Sequence, residues 1–155
     1  MSKELSLDEI IFNDMKKALK NKEKLRLSTL RMIRASMKNA EISKMEKLIE
    51  SEIINVIYSN LKKAEESLEM FIQGQRQDLA DKAKKEIEII KEYLPEQLSE
   101  VEIKEIVKET ITKSNFKTLK DIGPAMKEIM PQLKGKADGK IVNKIVKDLL
   151  INLDN

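Results

Sequence analysis

Apolar residues recur at three- and four-residue intervals along nearly the whole chain, the period of an amphipathic helix, and no stretch alternates with the period of two that marks a strand. The pattern predicts seven helices and no sheet. The first spans about Ser6 to Asn21, with Ile10, Ile11, Met15, Ala18 and Leu19 on its apolar side. The second spans about Lys22 to Ser43, with Leu30, Ile33, Met37 and Ala40 on one face. The third, about Glu46 to Gln73, runs through Ile49, Ile53, Val56, Ile57, Leu61, Ala64, Leu68 and Phe71, and Gly74 is expected to cap its end. A fourth begins at Gln75–Asp78 with Asp78 as its expected N-cap, carries Leu79, Ala83, Ile87, Ile90 and Leu94, and stops at Pro95. The fifth runs from Ser99 to about Lys113, the sixth from Lys120–Asp121 to near Pro131, and the last from about Gly139 to Leu153. Ser6 with Glu9, and Ser99 with Glu102, have the spacing of capping boxes.

The break at Leu94-Pro95-Glu96 divides four longer helices from three shorter ones. The expected architecture is all-α: a four-helix bundle-like domain over residues 1–94 and a small three-helix tail domain over 95–155.

Composition supports this and narrows the chemistry. Of 155 residues, 37% are charged and 3% aromatic, as in a helix-rich protein with an aliphatic core. There is no cysteine, which removes disulfides, thiolate catalysis and Cys-based metal sites, and no histidine, which removes the usual general base and the commonest metal ligand. No apolar run is long enough to cross a bilayer, and the N-terminal segment, with four acidic residues in its first fourteen, lacks a signal-peptide core. A cytoplasmic setting is expected. The net charge of +3 is unevenly spread: residues 16–47 carry +8, residues 95–112 carry −3 and residues 113–155 carry +4. Two basic regions flanking an acidic one suit a polyanionic partner, although solvated lysines are the plainer reading.

On the second helix, Lys24, Arg31 and Lys38 fall within about 40° of one another and Arg34 lies about 40° beyond, a stripe roughly 21 Å long. It could meet several phosphates, or be a solvated face with local ion pairs to Glu23 or Glu41. Arg26 falls in the apolar arc, so it either snorkels or pairs with an acid. The turn Lys134-Gly135-Lys136-Ala137-Asp138-Gly139-Lys140 is not a phosphate-binding P-loop: the glycines are too close, Ile141 stands in place of the hydroxyl residue, and no strand precedes it. It reads either as a turn closed by Gly135 with Asp138 capping the next helix, or as a helix N-terminus where Lys134, Lys136 and Lys140 receive a phosphate. Phe12, Tyr58, Phe71 and Tyr93 are expected in the core and Phe116 is the best exposed aromatic. Contact with RNA would therefore be made to backbone and shape, and nothing signals a preference for DNA. Carboxylate clusters such as Glu86/Glu88/Glu92 and Glu100/Glu102/Glu105/Glu109 lie among lysines on polar faces, where ion-pair ladders account for them. No metal site, cofactor or catalytic residue is expected.

Four stretches carry a family resemblance: Arg26-Leu27-Ser28-Thr29-Leu30-Arg31; Gly74-Gln75-Arg76-Gln77-Asp78-Leu79; Glu92-Tyr93-Leu94-Pro95-Glu96-Gln97-Leu98; and Gly123, Met126 and Met130 followed by Lys134–Lys140 and Ile141-Val142-Asn143. With them the chain resembles the YqeY family, related to the C-terminal region of GatB, a component of the aspartyl/glutamyl-tRNA amidotransferase. The resemblance covers nearly the whole length and rests on motif positions Arg76, Asp78, Tyr93, Pro95, Gly135, Asp138 and Asn143. It implies a helical bundle followed by a tail domain that helps hold tRNA. In the larger enzyme, other parts activate the aminoacyl group and supply ammonia. A label of carbon–nitrogen ligase with glutamine as amide donor would thus be inherited from that enzyme, and no catalytic residue is carried over. The expected role is a non-catalytic tRNA-binding module, with Lys24, Arg31, Arg34, Lys38, Lys134, Lys136 and Lys140 on phosphates. The alternatives are an accessory that docks on an amidotransferase or aminoacyl-tRNA synthetase through the acidic fifth helix, or an amide-transferring enzyme.

Overall fold

A computed structural model describes residues 4–154; the first three residues of the N-terminal segment, and Asn155, lie outside it. Among the described residues all regular structure is helical: α1 (Leu7–Lys20), α2 (Lys24–Lys44), α3 (Glu50–Gln73), α4 (Gln77–Lys91), α5 (Glu100–Lys113), a single 3-10 turn (Leu119–Asp121), α6 (Ile122–Leu133) and α7 (Gly139–Asp154). The chain falls into two compact units, Met1–Leu94 and Pro95–Asn155.

In the first unit the apolar stripes of four helices meet. Ile11 of α1, Leu30, Ile33 and Met37 of α2, Ile53, Ile57 and Leu61 of α3, and Ile87 and Ile90 of α4 form one core, closed by Tyr93. Leu30, Ile33, Ile57 and Ile90 are fully buried, so truncating any of them to alanine would cost about 2–5 kcal/mol. Asn60 is buried among these side chains, and its amide is satisfied: Nδ2 donates to the Val56 carbonyl at 3.2 Å and Oδ1 accepts from the Ser36 hydroxyl at 3.1 Å.

The second unit has its own core, built from Ile103, Val107 and Ile111 of α5, Ala125, Ile129 and Leu133 of α6, and Val142, Ile145, Val146 and Leu150 of α7. Pro131 lies inside α6, two residues from its end and exposed.

Both expected capping boxes form. The Ser6 hydroxyl accepts from the Glu9 amide at 3.2 Å while Glu9 accepts from the Ser6 amide at 2.8 Å, and Ser99 with Glu102 repeats the arrangement. The N-terminus of α3 manages with half a box. Ile49 offers no side-chain acceptor, and only the Glu52 carboxylate, taking the Ile49 amide at 2.9 Å, closes the first turn. The start of α4 differs from expectation. Arg76, not Asp78, occupies the capping position, because the Asp78 carboxylate is drawn to the Arg76 guanidinium, with both contacts at 3.3 Å. Glycine makes only one of the reversals between helices among the described residues, Gly135 between α6 and α7. Gly74 caps α3 at φ −80°, and the left-handed residue is Gln75 at φ 57°; Lys22, Met45 and Asn115 play the same part elsewhere.

Candidate nucleic-acid interface

Helix α2 turns Thr29, Leu30, Ile33 and Met37 inward. With 3.6 residues per turn, the opposite side is then Lys24, Ser28, Arg31, Ala35 and Lys38, and all five are exposed. Lys24, Arg31 and Lys38 make no ion pair among the described residues. The residues between them, Ser28 and Ala35, are small, so a rigid polyanion could approach the helix backbone closely. Beside this face, between α2 and α4, lies a groove of about 540 Å³ lined by Lys24, Ser28, Lys82 and Lys85 together with Asp78 and Asp81. Both acids are already engaged: Asp78 by Arg76, which holds its carboxyl below the usual carboxylate range, and Asp81 by the Gln77 amide at 2.8 Å.

Arg34 does not stand with the other three. It lies on the flank of α2 toward α1, half-buried, with its guanidinium 4.5 Å from the centre of the Phe12 ring. Lys16 approaches the same ring at 4.6 Å. Phe12 is exposed, against the expectation of a core position, because it sits one residue along from the buried Ile11 and so faces the rim of the helix pair. Phe116, expected exposed, is instead half-buried against the core of the second unit.

Arg26 pairs rather than snorkels. Its two terminal nitrogens donate to Glu92 at 2.7 and 2.9 Å, with Glu23 at 3.9 Å as a weaker neighbour. The hydrogen bond to Glu92 raises the Arg26 pKa further and holds the Glu92 carboxyl below the usual glutamate range. Next to it, Tyr93 donates its hydroxyl to Asp14 at 2.6 Å. Burial, reinforced by that carboxylate, pushes the phenol well above its ordinary value. Two of the motif stretches, from Arg26 and from Glu92, therefore meet as a polar latch joining α1, α2 and the end of α4. Arg26 reaches water on one side, at a cleft of about 270 Å³ that it lines with Asp14, Lys17 and Glu23.

In the second unit, the turn at 134–140 takes the plainer of its two readings as far as its backbone is concerned. Gly135 is buried at φ 76°, a conformation that glycine adopts without a Cβ penalty. The Gly135 carbonyl accepts from the Gln97 side-chain amide at 2.6 Å, and that amide also reaches the Pro95 carbonyl at 3.0 Å. One residue on, the Leu98 amide donates to the Lys136 carbonyl at 2.9 Å. The Asp138 carboxylate takes the Lys140 amide at 2.9 Å, so the N-terminus of α7 already has an anion of its own. Lys134, Lys136 and Lys140 all stay exposed, as does Asn143 on α7. Pro95, Gly135 and Asp138 are thus accounted for by the fold of this unit, and Tyr93 by the latch in the other.

Among the described residues no group of carboxylates converges so as to hold a metal ion, and no helix is long and apolar enough to cross a membrane. Sequence reasoning missed Phe12 and Lys16 as a pair with Arg34. The spacing of four between Phe12 and Lys16 was a usable signal, whereas the approach of Arg34 from another helix has no local trace.

The family model described as Yqey-like protein matches residues 8–150. The chain belongs to the YqeY-like family. Among curated proteins, this YqeY-like chain is similar to the Altered inheritance of mitochondria protein 41, mitochondrial, of Pyrenophora tritici-repentis, at 28% identity over 140 residues, covering 88% of the chain and 77% of the relative. The protein of the same name from Lachancea thermotolerans is 38% identical over 82 residues, or 52% of the chain and 44% of the relative. That from Saccharomyces cerevisiae strain YJM789 is 29% identical over 136 residues, 83% and 70% respectively. These names correct the cytoplasmic expectation, because the relatives are called mitochondrial, which points away from a generic cytoplasmic setting.

Proposed function

We propose that this YqeY-like chain is a non-catalytic module that holds tRNA by its backbone, with a bundle-like first domain and a tail domain related to the C-terminal region of the amidotransferase component GatB. One observation carries the reading. Among the described residues, Lys24, Arg31 and Lys38 share the exposed side of α2 without an ion pair, in a chain that has 27 acidic residues with which to neutralise them. Lys134, Lys136 and Lys140, exposed around a hydrogen-bonded turn, are a second set of phosphate contacts. Arg34 belongs to the reading through its own locus beside Phe12. The groove between α2 and α4 supports it too, since its acids are engaged and its lysines pair with no carboxylate among the described residues.

The test is a titration with bulk tRNA at several salt concentrations, beside a variant with Lys24, Arg31 and Lys38 all changed to Glu. Each phosphate neutralised contributes about 0.7–0.9 to the slope of log affinity against log salt. The three side chains should therefore account for a slope of roughly −2 to −3 that the variant loses. Absence of binding at low salt would sink the proposal.

A protein-docking role is the second reading. It is favoured by α5, where Glu100, Glu105 and Glu109 are exposed and Val101 is 67% accessible beside them. Co-purification with an amidotransferase or an aminoacyl-tRNA synthetase would select it. Amide transfer by the chain itself is not part of the proposal; glutamine-dependent turnover that survives stringent purification would reinstate it.

A further inference from the structure

The chain has four arginines. Arg26 and Arg76 each meet a carboxylate, and Arg31 points to solvent. Arg34 does something else. It lies over the only exposed aromatic ring of the five, and Lys16 lies over the same ring. The two charges are no further apart than the sum of their distances to the ring centre, about 9 Å. That is inside the Debye length of about 10 Å at 0.1 M salt, so they repel each other even in buffer. Neither has a carboxylate within ion-pair distance among the described residues. The negative face of Phe12 offsets part of the repulsion and holds both cations in place. It does not neutralise them.

We infer that Lys16 and Arg34, held over the Phe12 ring, form a binding locus for one phosphate group. Arg34 is half-buried and comes from α2, Lys16 is exposed and comes from α1, so the locus exists only once the two helices have packed. A phosphate oxygen pair suits the guanidinium fork, and the ammonium supplies a second point of charge. The ring restricts both long side chains before the anion arrives, which lowers the entropy lost on binding. The phosphate could belong to an RNA backbone or to a small free phosphate compound. Only the choice of RNA as its source rests on the proposed function above.

The experiment follows the methylene and ring resonances of Phe12, Lys16 and Arg34 by NMR in the full-length protein during two titrations at low salt, one with pyrophosphate and one with a short RNA hairpin. The expected result is saturable, concerted shifts of all three residues with pyrophosphate. Arg34→Gln should abolish them. Phe12→Leu, which changes no charge, should weaken binding about two- to fivefold. Helical circular dichroism is measured for each variant, and Arg34→Lys serves as a second variant if Phe12→Leu unfolds. Shifts that never saturate, or that match those of unrelated surface lysines, overturn the locus. Pyrophosphate binding here without any RNA binding leaves the locus standing and removes RNA as its source. RNA binding that moves Lys24, Arg31 and Lys38 while these three residues stay still, with pyrophosphate also silent, leaves the tRNA reading standing and removes the locus.

Discussion

Removing Arg26 and Glu92 one at a time and together measures what the latch contributes to the first unit. The guanidinium meets both carboxylate oxygens, at 2.7 and 2.9 Å, and this two-pronged geometry is stronger than a single contact. Water still reaches both groups, since 30% of the Arg26 side chain and 51% of the Glu92 side chain are accessible. Screening therefore places the coupling at about 0.5–1.5 kcal/mol, above an ordinary surface pair and well below a buried one. The cycle uses Arg26→Met, which keeps the stem, Glu92→Gln and the double variant. The chain has two tyrosines and no tryptophan, and Tyr58 and Tyr93 both lie in the first unit. Tyrosine emission in a urea titration consequently reports that unit alone, and the second unit does not blur the transition. The coupling should shrink in 1 M salt, where the Debye length is about 3 Å. It should also depend on pH with a definite sign. The folded protein holds the Glu92 carboxyl below its ordinary value, so the stabilisation is complete above the unfolded glutamate pKa of about 4.3 and is lost as pH falls through the lower folded value. A coupling below about 0.3 kcal/mol at pH 7 and low salt would refute the view that this pair ties α2 to the end of α4.

Three further outcomes are expected. Tyr93→Phe leaves the part-buried Asp14 carboxylate without its hydroxyl partner and should lower the stability of the first unit by about 1–2 kcal/mol in a urea titration followed by circular dichroism. Gly135→Ala forces an L-residue to φ 76° at a buried position; a cost of about 1–2 kcal/mol should lower the melting temperature of the second unit by several degrees, and an unchanged melt would remove the requirement for glycine there. Met45→Gly acts in the opposite direction: Met45 is 88% exposed at φ 62° and ends α2, so glycine should stabilise by up to about 1 kcal/mol, read as a higher urea midpoint.

The helices were legible wherever their signals are local. Ser6 with Glu9 and Ser99 with Glu102 announce their helix starts because both halves of each capping box lie within one turn. Pro95 and the periodic apolar stripes place the remaining helices to within a few residues. What could not be read depends on partners distant in sequence or on conformations without a marker. Four helix junctions use left-handed Lys22, Met45, Gln75 and Asn115, none of them glycine. The expected start of the third helix at Glu46 fell four residues early for that reason, since Met45 turns the chain and an extended Ile49 precedes α3. Asp78 had the composition of a cap but also a neighbour, Arg76, that captured it. Periodicity marked Arg26 as misplaced, yet only the fold supplies Glu92, 66 residues away. In the candidate interface, the face of Lys24, Arg31 and Lys38 follows from helical geometry alone. The departure of Arg34 from that face follows from α1, which helical geometry within α2 cannot reveal.

The bonds from Gln97 and Leu98 to the carbonyls of Gly135 and Lys136 join positions 38 residues apart in the chain. They fasten the two feet of an excursion that contains α5 and α6. A nascent chain leaving the ribosome exposes the first foot, then both of those helices, before the second foot emerges. Until Lys136 emerges, the Leu98 amide has no acceptor to close upon, and α7, which completes the apolar core, is later still. Closure of this unit therefore waits for its last twenty residues rather than its first helix, and a nascent chain that has emerged only as far as Leu133 holds α5 and α6 without the apolar face that α7 supplies.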